Sequence, residues 1–171
     1  MAESAIRVPD GLTTNGVIAR RYFARLIDSV FIGILVFLVF RFIGTLVISL
    51  GGRPTSILIG LLLLVALWVG YGTALESSPW QATLGKRVMG LRVYTAQGGR
   101  LAPLQAASRN LVKDGPFLVL GFIPGGQLLA FAWLCAHLVV LHRSPVYQAI
   151  HDRVAHTWVA APESTIQLRL S

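Results

Sequence analysis

Apolar residues form two long runs in the first half of the chain, and each run is long enough to cross a lipid bilayer. The first covers about residues 20–50, and after its three opening arginines Asp28 and Arg41 are its only charged residues. The second covers about residues 56–75 and contains no charged residue. A helix needs about 20 apolar residues to span a membrane. The pattern therefore predicts two membrane helices joined by a tight turn at Gly51-Gly52-Arg53-Pro54.

A third apolar stretch, Phe117–Leu141, is cut by Pro124-Gly125-Gly126, and two arrangements follow. Either one span covers residues 117–141 and leaves the C-terminus outside, or the break separates helices at about 104–123 and 127–141 and returns it inside. In the second arrangement the first of these helices is amphipathic and partly inserted, because its polar residues recur three or four apart. We favour the second arrangement, although Asp114-Gly115-Pro116 predicts an interruption within that helix.

Residues 76–103 form a polar, glycine-rich loop in which short strands are predicted. Apolar residues alternate at Val88, Leu91 and Val93, and a glycine turn then precedes Arg100-Leu101, which is a hairpin pattern. A strand near Thr157–Val159 could pair with the first of these strands if both ends of the chain lie on one side of the membrane. The sequence therefore predicts either a small β-hairpin or a three-stranded sheet.

Lys and Arg are distributed unequally around the predicted helices. The polar start of the chain and the loop over residues 76–103 are rich in them, whereas the turn between the first two helices carries only Arg53. Basic residues concentrate on the cytoplasmic side of membrane proteins, so the N-terminus and the loop are predicted to be cytoplasmic. The predicted organisation is a flexible polar tail over residues 1–17, a transmembrane domain over 18–161 and a short C-terminal tail over 162–171.

Composition supports the same class and excludes others. Hydrophobic residues make up 54% of the chain and charged residues only 13%, which is typical of an integral membrane protein. We therefore predict an all-α membrane bundle of three strongly apolar helices and one amphipathic or partly inserted helix, with a small cytoplasmic β-hairpin or three-stranded sheet. The net charge of +8 lies beside the apolar runs, so anionic lipid headgroups explain it better than nucleic acid does.

No cofactor, metal site or catalytic group is predicted. Cys135 is the only cysteine, so no disulfide can form within the chain. The histidines lie in two pairs, each five residues apart, which is not the spacing that holds zinc on one helix face. No second carboxylate is placed to work with Asp28 in acid and base roles, so we do not expect an enzyme.

Asp28 is the residue that calls for an explanation, because a carboxylate inside a membrane helix is costly and usually has a partner. Two hypotheses remain open. Asp28 could be a proton or cation site, or it could form a structural ion pair with Arg21, Arg25 or Arg109. Arg21 precedes Asp28 by seven residues, which places both on nearly the same helix face.

Three further groups of charged residues have predicted roles. Lys86, Arg87 and Arg92 are predicted to form a surface for lipid headgroups or for a partner protein. Glu76 follows the second apolar run and is predicted to be an exposed interfacial residue that could pair with Lys86 or Arg87. Asp152 lies in the segment His151-Asp152-Arg153, which is predicted to tie the C-terminal part to the bundle through Lys86, Arg87 or Arg109.

Four segments together resemble the bacterial RDD family of membrane proteins. In chain order they read RRYFARLID, TLGKRVMGLRV, GGRLAPLQAASRNLVK and HDRVAHTWVA, and they extend from about residue 20 to residue 160. The family is named for one arginine and two aspartates, which correspond by position to Arg21, Asp28 and Asp152. His156 replaces the family's usual glycine before the final threonine, which argues against a tight turn at that point.

The resemblance implies a multi-pass protein of the bacterial cytoplasmic membrane. It also implies transport of a small solute or ion, because some members of the family are similar to cation/proton antiporters. The alternative is a non-catalytic assembly or accessory subunit that docks a partner through its basic cytoplasmic loop. The expected partners are a bilayer with anionic headgroups and either a second copy of the chain or another membrane protein.

Overall fold

The computed structural model describes residues 10–121 and 123–162, with all side chains except those at positions 43, 45–48 and 50–57. The described part is mostly helical and contains one small sheet. In chain order the elements are β1 (Leu12–Thr13), α1 (Val17–Glu76), α2 (Leu84–Val88), β2 (Arg92–Thr95), α3 (Pro103–Leu120), α4 (Gly126–Arg143), α5 (Ile150–Val154) and β3 (Thr157–Pro162).

Helix α1 reverses direction about midway along its length. The Tyr71 hydroxyl donates a hydrogen bond to the Asp28 carboxylate at 2.8 Å, although 43 residues separate them. The Phe40 ring also lies 3.2 Å from the position that a Cβ on Gly60 would occupy. Both pairs are centred at about residue 50, so the two halves of α1 are antiparallel. The predicted tight turn at residues 51–54 lies close to this reversal, although the backbone is assigned as helical through these positions.

Within residues 10–121 and 123–162, three segments are long and apolar enough to cross a membrane, as the sequence predicts. Two are the halves of α1, which we call arm 1 (Val17–Phe42) and arm 2 (Leu58–Glu76), and the third is α4. Only 17%, 6% and 17% of their most apolar windows, respectively, are buried against protein. Apolar side chains therefore cover the outside of these helices, which is the surface that lipid solvates and water does not.

Helices α3 and α4 form a second hairpin. The polar residues of α3 lie mostly in its first three turns, and the helix continues through Pro116, so the predicted interruption at this proline is wrong. The chain then turns at Gly125, which has a φ of 76°. A Cβ on Gly126 would lie 2.1 Å from the Leu120 carbonyl oxygen, so glycine is needed for the close approach of the two helix ends. The turn corresponds to the second of the two predicted arrangements.

The strands form a three-stranded antiparallel sheet in the order β1-β3-β2. Val93 pairs with Val159, so the predicted pairing between these two strands is confirmed, whereas the predicted return strand at Arg100-Leu101 is absent from the described sheet. The third strand is β1, in which Leu12 pairs with Pro162. Residues 12 and 13 were expected in a flexible tail, and the earlier part of that tail lies outside the described residues.

A small apolar core holds the sheet against the starts of α1 and α3. Val17 is fully buried at the beginning of α1, and Ala106 is fully buried in the first turns of α3. The sheet residues pack between them, so the sheet and the ends of both helical hairpins form one unit. The members of this core are Val17, Leu91, Val93, Leu101, Ala106, Val159 and Ala161.

The turn between α5 and β3 uses a histidine in a left-handed conformation. His156 has a φ of 50°, and its N–H donates to the Arg153 carbonyl at 3.1 Å. Its own carbonyl accepts a hydrogen bond from the Ala96 N–H at 3.0 Å. The expectation that His156 argues against a tight turn is therefore wrong. The chain makes the turn at a backbone cost of about 1 kcal/mol or more, which glycine would avoid.

Candidate functional site

Nine charged side chains meet where the two arms of α1 pack against α2, α3 and α5. We call them the charged cluster, and five of them are cations while four are carboxylates. Burying a charge in a protein is costly unless an opposite charge and hydrogen bonds compensate it. The pairing inside the cluster therefore decides which of its members are structural. The members are Arg21, Arg25, Asp28, Glu76, Lys86, Arg109, Lys113, Asp114 and Asp152.

Asp152 is fully buried and forms ion pairs with two arginines. Arg21 forms an ion pair with its Oδ2, and Arg109 donates to its Oδ1 from Nε at 3.0 Å and from NH2 at 2.6 Å. The Ala149 N–H also donates to Oδ2 at 3.2 Å, within the first turn of α5. Burial alone would raise the pKa of Asp152, but the two guanidinium groups hold it well below its usual value. Asp152 is therefore an ionised carboxylate that joins α1, α3 and α5.

Glu76, the last residue of α1, is fully buried and has three partners. Lys86 forms an ion pair with Oε1, while Arg109 and Asn110 donate to Oε2 at 2.6 and 3.0 Å. The prediction of an exposed Glu76 is wrong, because α3 packs over it and supplies two of its partners. Lys86 keeps 12% of its side chain exposed, and its role at a surface for lipid headgroups or a partner protein stays a prediction. Burial lowers the pKa of Lys86 to about 7 despite the neighbouring Glu76 carboxylate.

Asp114 lies in the middle of α3 and pairs with Arg25 of arm 1. Lys113 lies 3.3 Å from the other Asp114 oxygen and donates to the Asn110 side chain at 2.6 Å. Arg25 and Arg109 therefore have carboxylate partners of their own. The hypothesis that either of them pairs with Asp28 is wrong, because α3 brings Asp114 and Arg109 to different points along α1.

Asp28 differs from the other three carboxylates because its hydrogen-bond donors are neutral. Its side chain accepts hydrogen bonds from the Tyr71 hydroxyl at 2.8 Å, from the Thr83 hydroxyl at 2.5 Å and from the Gly85 N–H at 2.8 Å. Among the described residues, no Lys, Arg or His nitrogen lies within 4.0 Å of its oxygens. The residue is only 6% exposed. Asp28 is thus a buried carboxylate whose charge is solvated by dipoles alone.

Helix α2 supplies two of these donors because it begins directly beside arm 1. Thr83 caps the helix, and its hydroxyl also accepts a hydrogen bond from the Lys86 N–H at 3.4 Å. A Cβ at Gly85 would lie 2.1 Å from the Ala24 carbonyl oxygen, so only glycine permits this approach. The glycine of the TLGKR segment therefore places the start of α2 within hydrogen-bonding distance of Asp28.

A cleft opens beside the charged cluster, between arm 1, α3 and α4. Its volume is about 190 Å³. We call it the basic cleft, because four cations of the cluster line it together with the single carboxylate Asp28. The apolar side chains of α3 and α4 form the opposite wall. The cations are Arg21, Arg25, Lys86 and Lys113, and the apolar residues include Phe117, Leu134, Leu138 and Leu141. Tyr22, His137, Ala149 and His151 complete the lining.

Two of the predicted surface residues lie away from the cluster. Arg87 and Arg92 are exposed, and the Arg87 guanidinium stacks over the Trp80 ring at 3.9 Å. A second pocket of about 200 Å³ lies between these three side chains. Within residues 10–121 and 123–162, no group of three or more His, Cys, Asp or Glu side chains is arranged to hold a metal ion.

Glu76 and Asp114 were not predicted as members of the charged cluster, although the rarity of acidic residues in the sequence points to them. The chain has only seven acidic residues, and four of them belong to the cluster. In so basic a chain, each acidic residue beside an apolar run is a candidate for a buried pair. Glu76 and Asp114 satisfy that description as well as Asp28 does.

A family model described as the RDD family matches residues 16–156, a range that contains the whole charged cluster. No curated protein matches the chain, and no solved structure matches it either.

Proposed function

Because the chain belongs to the RDD family, whose model covers most of its length, we propose that it is a multi-pass membrane protein that exchanges a proton or small cation at Asp28. The family and the apolar helices point to a membrane protein. The proposal of exchange at Asp28 rests on one observation: this buried carboxylate accepts hydrogen bonds from neutral donors only. We further propose that the membrane is the bacterial cytoplasmic membrane, with the N-terminus in the cytoplasm.

The sheet supports a topology with both ends on one side. Strand β1 precedes arm 1, β2 follows arm 2, and β3 follows α4, yet the three strands are hydrogen-bonded to one another. A polypeptide that leaves this sheet and rejoins it must cross the membrane an even number of times. The two arms of α1 form one such pair of passages, and α3 with α4 forms the second, whether that hairpin crosses or only enters the bilayer.

Cysteine labelling tests this topology. In a Cys135→Ser background, Asn15→Cys and a cysteine added after the last residue are expected to react with an impermeant maleimide from the cytoplasmic side only. Arg53→Cys, near the reversal of α1, is expected to react from the opposite side only. Labelling of the two ends from opposite sides would contradict both the sheet and the proposed orientation.

Asp28 suits an exchange site because dipoles orient a carboxylate without cancelling its charge. A proton or a monovalent cation can supply the missing positive charge, and the two compete for the same oxygens. The four cations that line the cleft each have a carboxylate partner, which reduces their repulsion of an entering cation. The Thr83 and Tyr71 hydroxyls can rotate to accept as well as donate, so they can accommodate either occupant.

The chain is small for a complete transport path, which supports assembly of more than one copy. Transporters usually combine several helices and polar groups at the membrane midplane. Here the exposed apolar faces of arm 1, arm 2 and α4 are the surfaces available for such contacts. We propose a homo-oligomer in which each copy contributes its own Asp28.

Asp28→Asn tests the proposal most directly. In proteoliposomes that contain a pH-sensitive dye, the wild-type protein is expected to move protons when sodium, potassium or lithium is added outside. Asp28→Asn is expected to reduce this movement to the rate of protein-free vesicles, because the amide cannot bind a proton or a cation in exchange. Asp28→Glu keeps a carboxylate and is expected to retain part of the activity.

Asp114→Asn provides a matched control, since it removes a buried carboxylate that lies outside the proposed exchange step. It is expected to lower stability more than Asp28→Asn does, while the protein that still inserts remains active. The proposal fails if the wild-type protein moves no common monovalent cation, or if Asp28→Asn transports at the wild-type rate.

A second function is favoured by the exposed pair of Arg87 and Trp80. Their stacking and the neighbouring Arg92 present a basic, aromatic surface outside the charged cluster. Such a surface suits an accessory subunit that docks a protein partner. The two functions are distinguishable, because Arg87→Ala would impair docking and leave ion movement unchanged, whereas Asp28→Asn would have the opposite effect.

A further inference from the structure

The basic cleft combines two surfaces that an amphiphile requires. On one side, Arg25 and Lys113 are its more exposed cations, with 42% and 16% of their side chains accessible. On the other side, Phe117 of α3 and the leucines of α4 form an apolar wall, and Leu134 is itself 40% exposed towards the outside of the bundle. The charged and apolar parts of one ligand could therefore be bound at the same time.

Two buried imidazoles in the cleft lack a hydrogen-bond partner on one nitrogen. His137 and His151 are at least nine-tenths buried, and their rings stack with centroids 5.1 Å apart. His137 Nδ1 lies 3.2 Å from the Trp133 carbonyl and therefore carries the hydrogen, which leaves Nε2 as an acceptor. His151 Nε2 faces Asp152 at 3.4 Å, which leaves Nδ1 as an acceptor.

His137 Nε2 and His151 Nδ1 can each accept a hydrogen bond from a bound ligand. Burial lowers the pKa of His151 well below its usual value, so its ring is neutral and Nδ1 keeps its lone pair. Buried polar atoms in proteins nearly always have a partner, and two stacked rings with two free acceptors are a conspicuous exception. A ligand that carries hydroxyl groups would donate to both.

We propose that the basic cleft binds the headgroup of an anionic phospholipid that carries free hydroxyl groups, of the phosphatidylglycerol type. The phosphate lies between Arg25 and Lys113, the headgroup hydroxyls donate to His137 and His151, and the acyl chains follow the apolar wall into the bilayer. When Lys86 is protonated, the nine residues of the charged cluster carry one excess positive charge, which a phosphodiester neutralises.

The apolar wall of the cleft favours a lipid over a soluble polyol phosphate. At about 190 Å³ the cleft is smaller than the roughly 300–1,000 Å³ of sites that enclose a whole drug-sized ligand. It therefore fits a headgroup and leaves the acyl chains outside. A soluble glycerol phosphate would use the cations and the histidines but not the apolar wall.

Native mass spectrometry of the full chain in detergent tests the proposal. We expect one phosphatidylglycerol per protomer to bind more tightly than phosphatidic acid, which lacks the headgroup hydroxyls, and phosphatidylcholine to bind least. His137→Phe is expected to remove the preference for phosphatidylglycerol over phosphatidic acid while retaining the binding of both. Equal binding of all three lipids by the wild-type protein would overturn the proposal.

Matched variants locate the site. Arg25→Gln and Lys113→Gln are each expected to weaken phosphatidylglycerol binding about tenfold, or about 1.4 kcal/mol, whereas Arg92→Gln removes an exposed cation and is expected to change nothing. If Arg92→Gln weakens binding as much, the lipid binds the outer basic surface and the proposal is wrong. Leu138→Trp fills the cleft without changing charge and is expected to block binding even if the charge variants misfold.

Two further measurements distinguish a bound lipid from a bound soluble phosphate, and lipid binding from ion exchange at Asp28. Soluble glycerol 3-phosphate is expected to compete poorly, and competition at concentrations equal to the lipid would overturn the lipid assignment. Lipid binding is measured in detergent, where no ion gradient exists, so the result does not depend on whether the protein moves ions. Asp28→Asn is expected to abolish transport and keep lipid binding, so failure of one proposal leaves the other standing.

Discussion

Arg109→Met is expected to destabilise the protein by about 3–5 kcal/mol, because it leaves two buried carboxylates undercompensated. Arg109 is only 1% exposed and bridges Glu76 at 2.6 Å with Asp152 at 2.6 and 3.0 Å. Since whole domains are stable by only about 5–15 kcal/mol, a loss of this size removes much of the folded population. The measurement is thermal unfolding in detergent, together with the yield of monodisperse protein on size exclusion.

The comparison variants show whether charge pairing is the cause. Arg87→Met removes an exposed arginine that stacks on Trp80, and it is expected to have little effect. Arg109→Lys keeps the charge but loses the forked geometry, so an intermediate stability is expected. Adding Glu76→Gln and Asp152→Asn to Arg109→Met is not expected to recover the loss, because Lys86 and Arg21 then lose their own carboxylate partners. Unfolding of Arg109→Met at the wild-type temperature would show that the cluster does not hold the fold.

The apolar helices could be predicted from composition because lipid imposes a simple requirement. A bilayer requires about 20 apolar residues, and arm 1, arm 2 and α4 meet that requirement in the sequence itself. The pairing of β2 with β3 could also be predicted from alternation and from the need to satisfy strand edges. Strand β1 could not, since Leu12 and Thr13 carry no alternating pattern and are ordered only by their pairing with β3.

The charged cluster was harder to predict because it depends on where helices end in space. Asp28 was identified from its place in an apolar run, and Arg109 was among the partners predicted for Asp152, as observed. The pairing of Arg21 with Asp152 and the neutral donors of Asp28 were not predicted. Glu76 was expected to be exposed since it follows an apolar run, yet α3 packs over it and supplies Arg109. Which arginine meets which carboxylate depends on the crossing of α3 over α1, and sequence spacing within one helix contains no information about that crossing.

Gly85→Ala is the second change with a large expected effect, because it would push α2 away from arm 1. The new methyl carbon would lie 2.1 Å from the Ala24 carbonyl oxygen and 3.0 Å from the Asp28 carboxyl carbon. A backbone oxygen cannot rotate away, so α2 must move by about 1 Å, and overpacking of this kind costs about 1–3 kcal/mol. The movement also lengthens the hydrogen bonds from Gly85 and Thr83 to Asp28.

Gly33→Ala is the matched control for Gly85→Ala, since a Cβ at Gly33 would meet nothing within 4 Å. Alanine is favoured over glycine in a helix by about 1 kcal/mol, so Gly33→Ala is expected to raise the melting temperature and Gly85→Ala to lower it. In proteoliposomes, Gly85→Ala protein that remains folded is expected to lose ion movement, because Asp28 no longer holds its two donors from α2. Equal stability of the two variants would show that α2 does not need its close contact with arm 1. Wild-type ion movement by folded Gly85→Ala would instead show that the α2 donors are dispensable for exchange at Asp28.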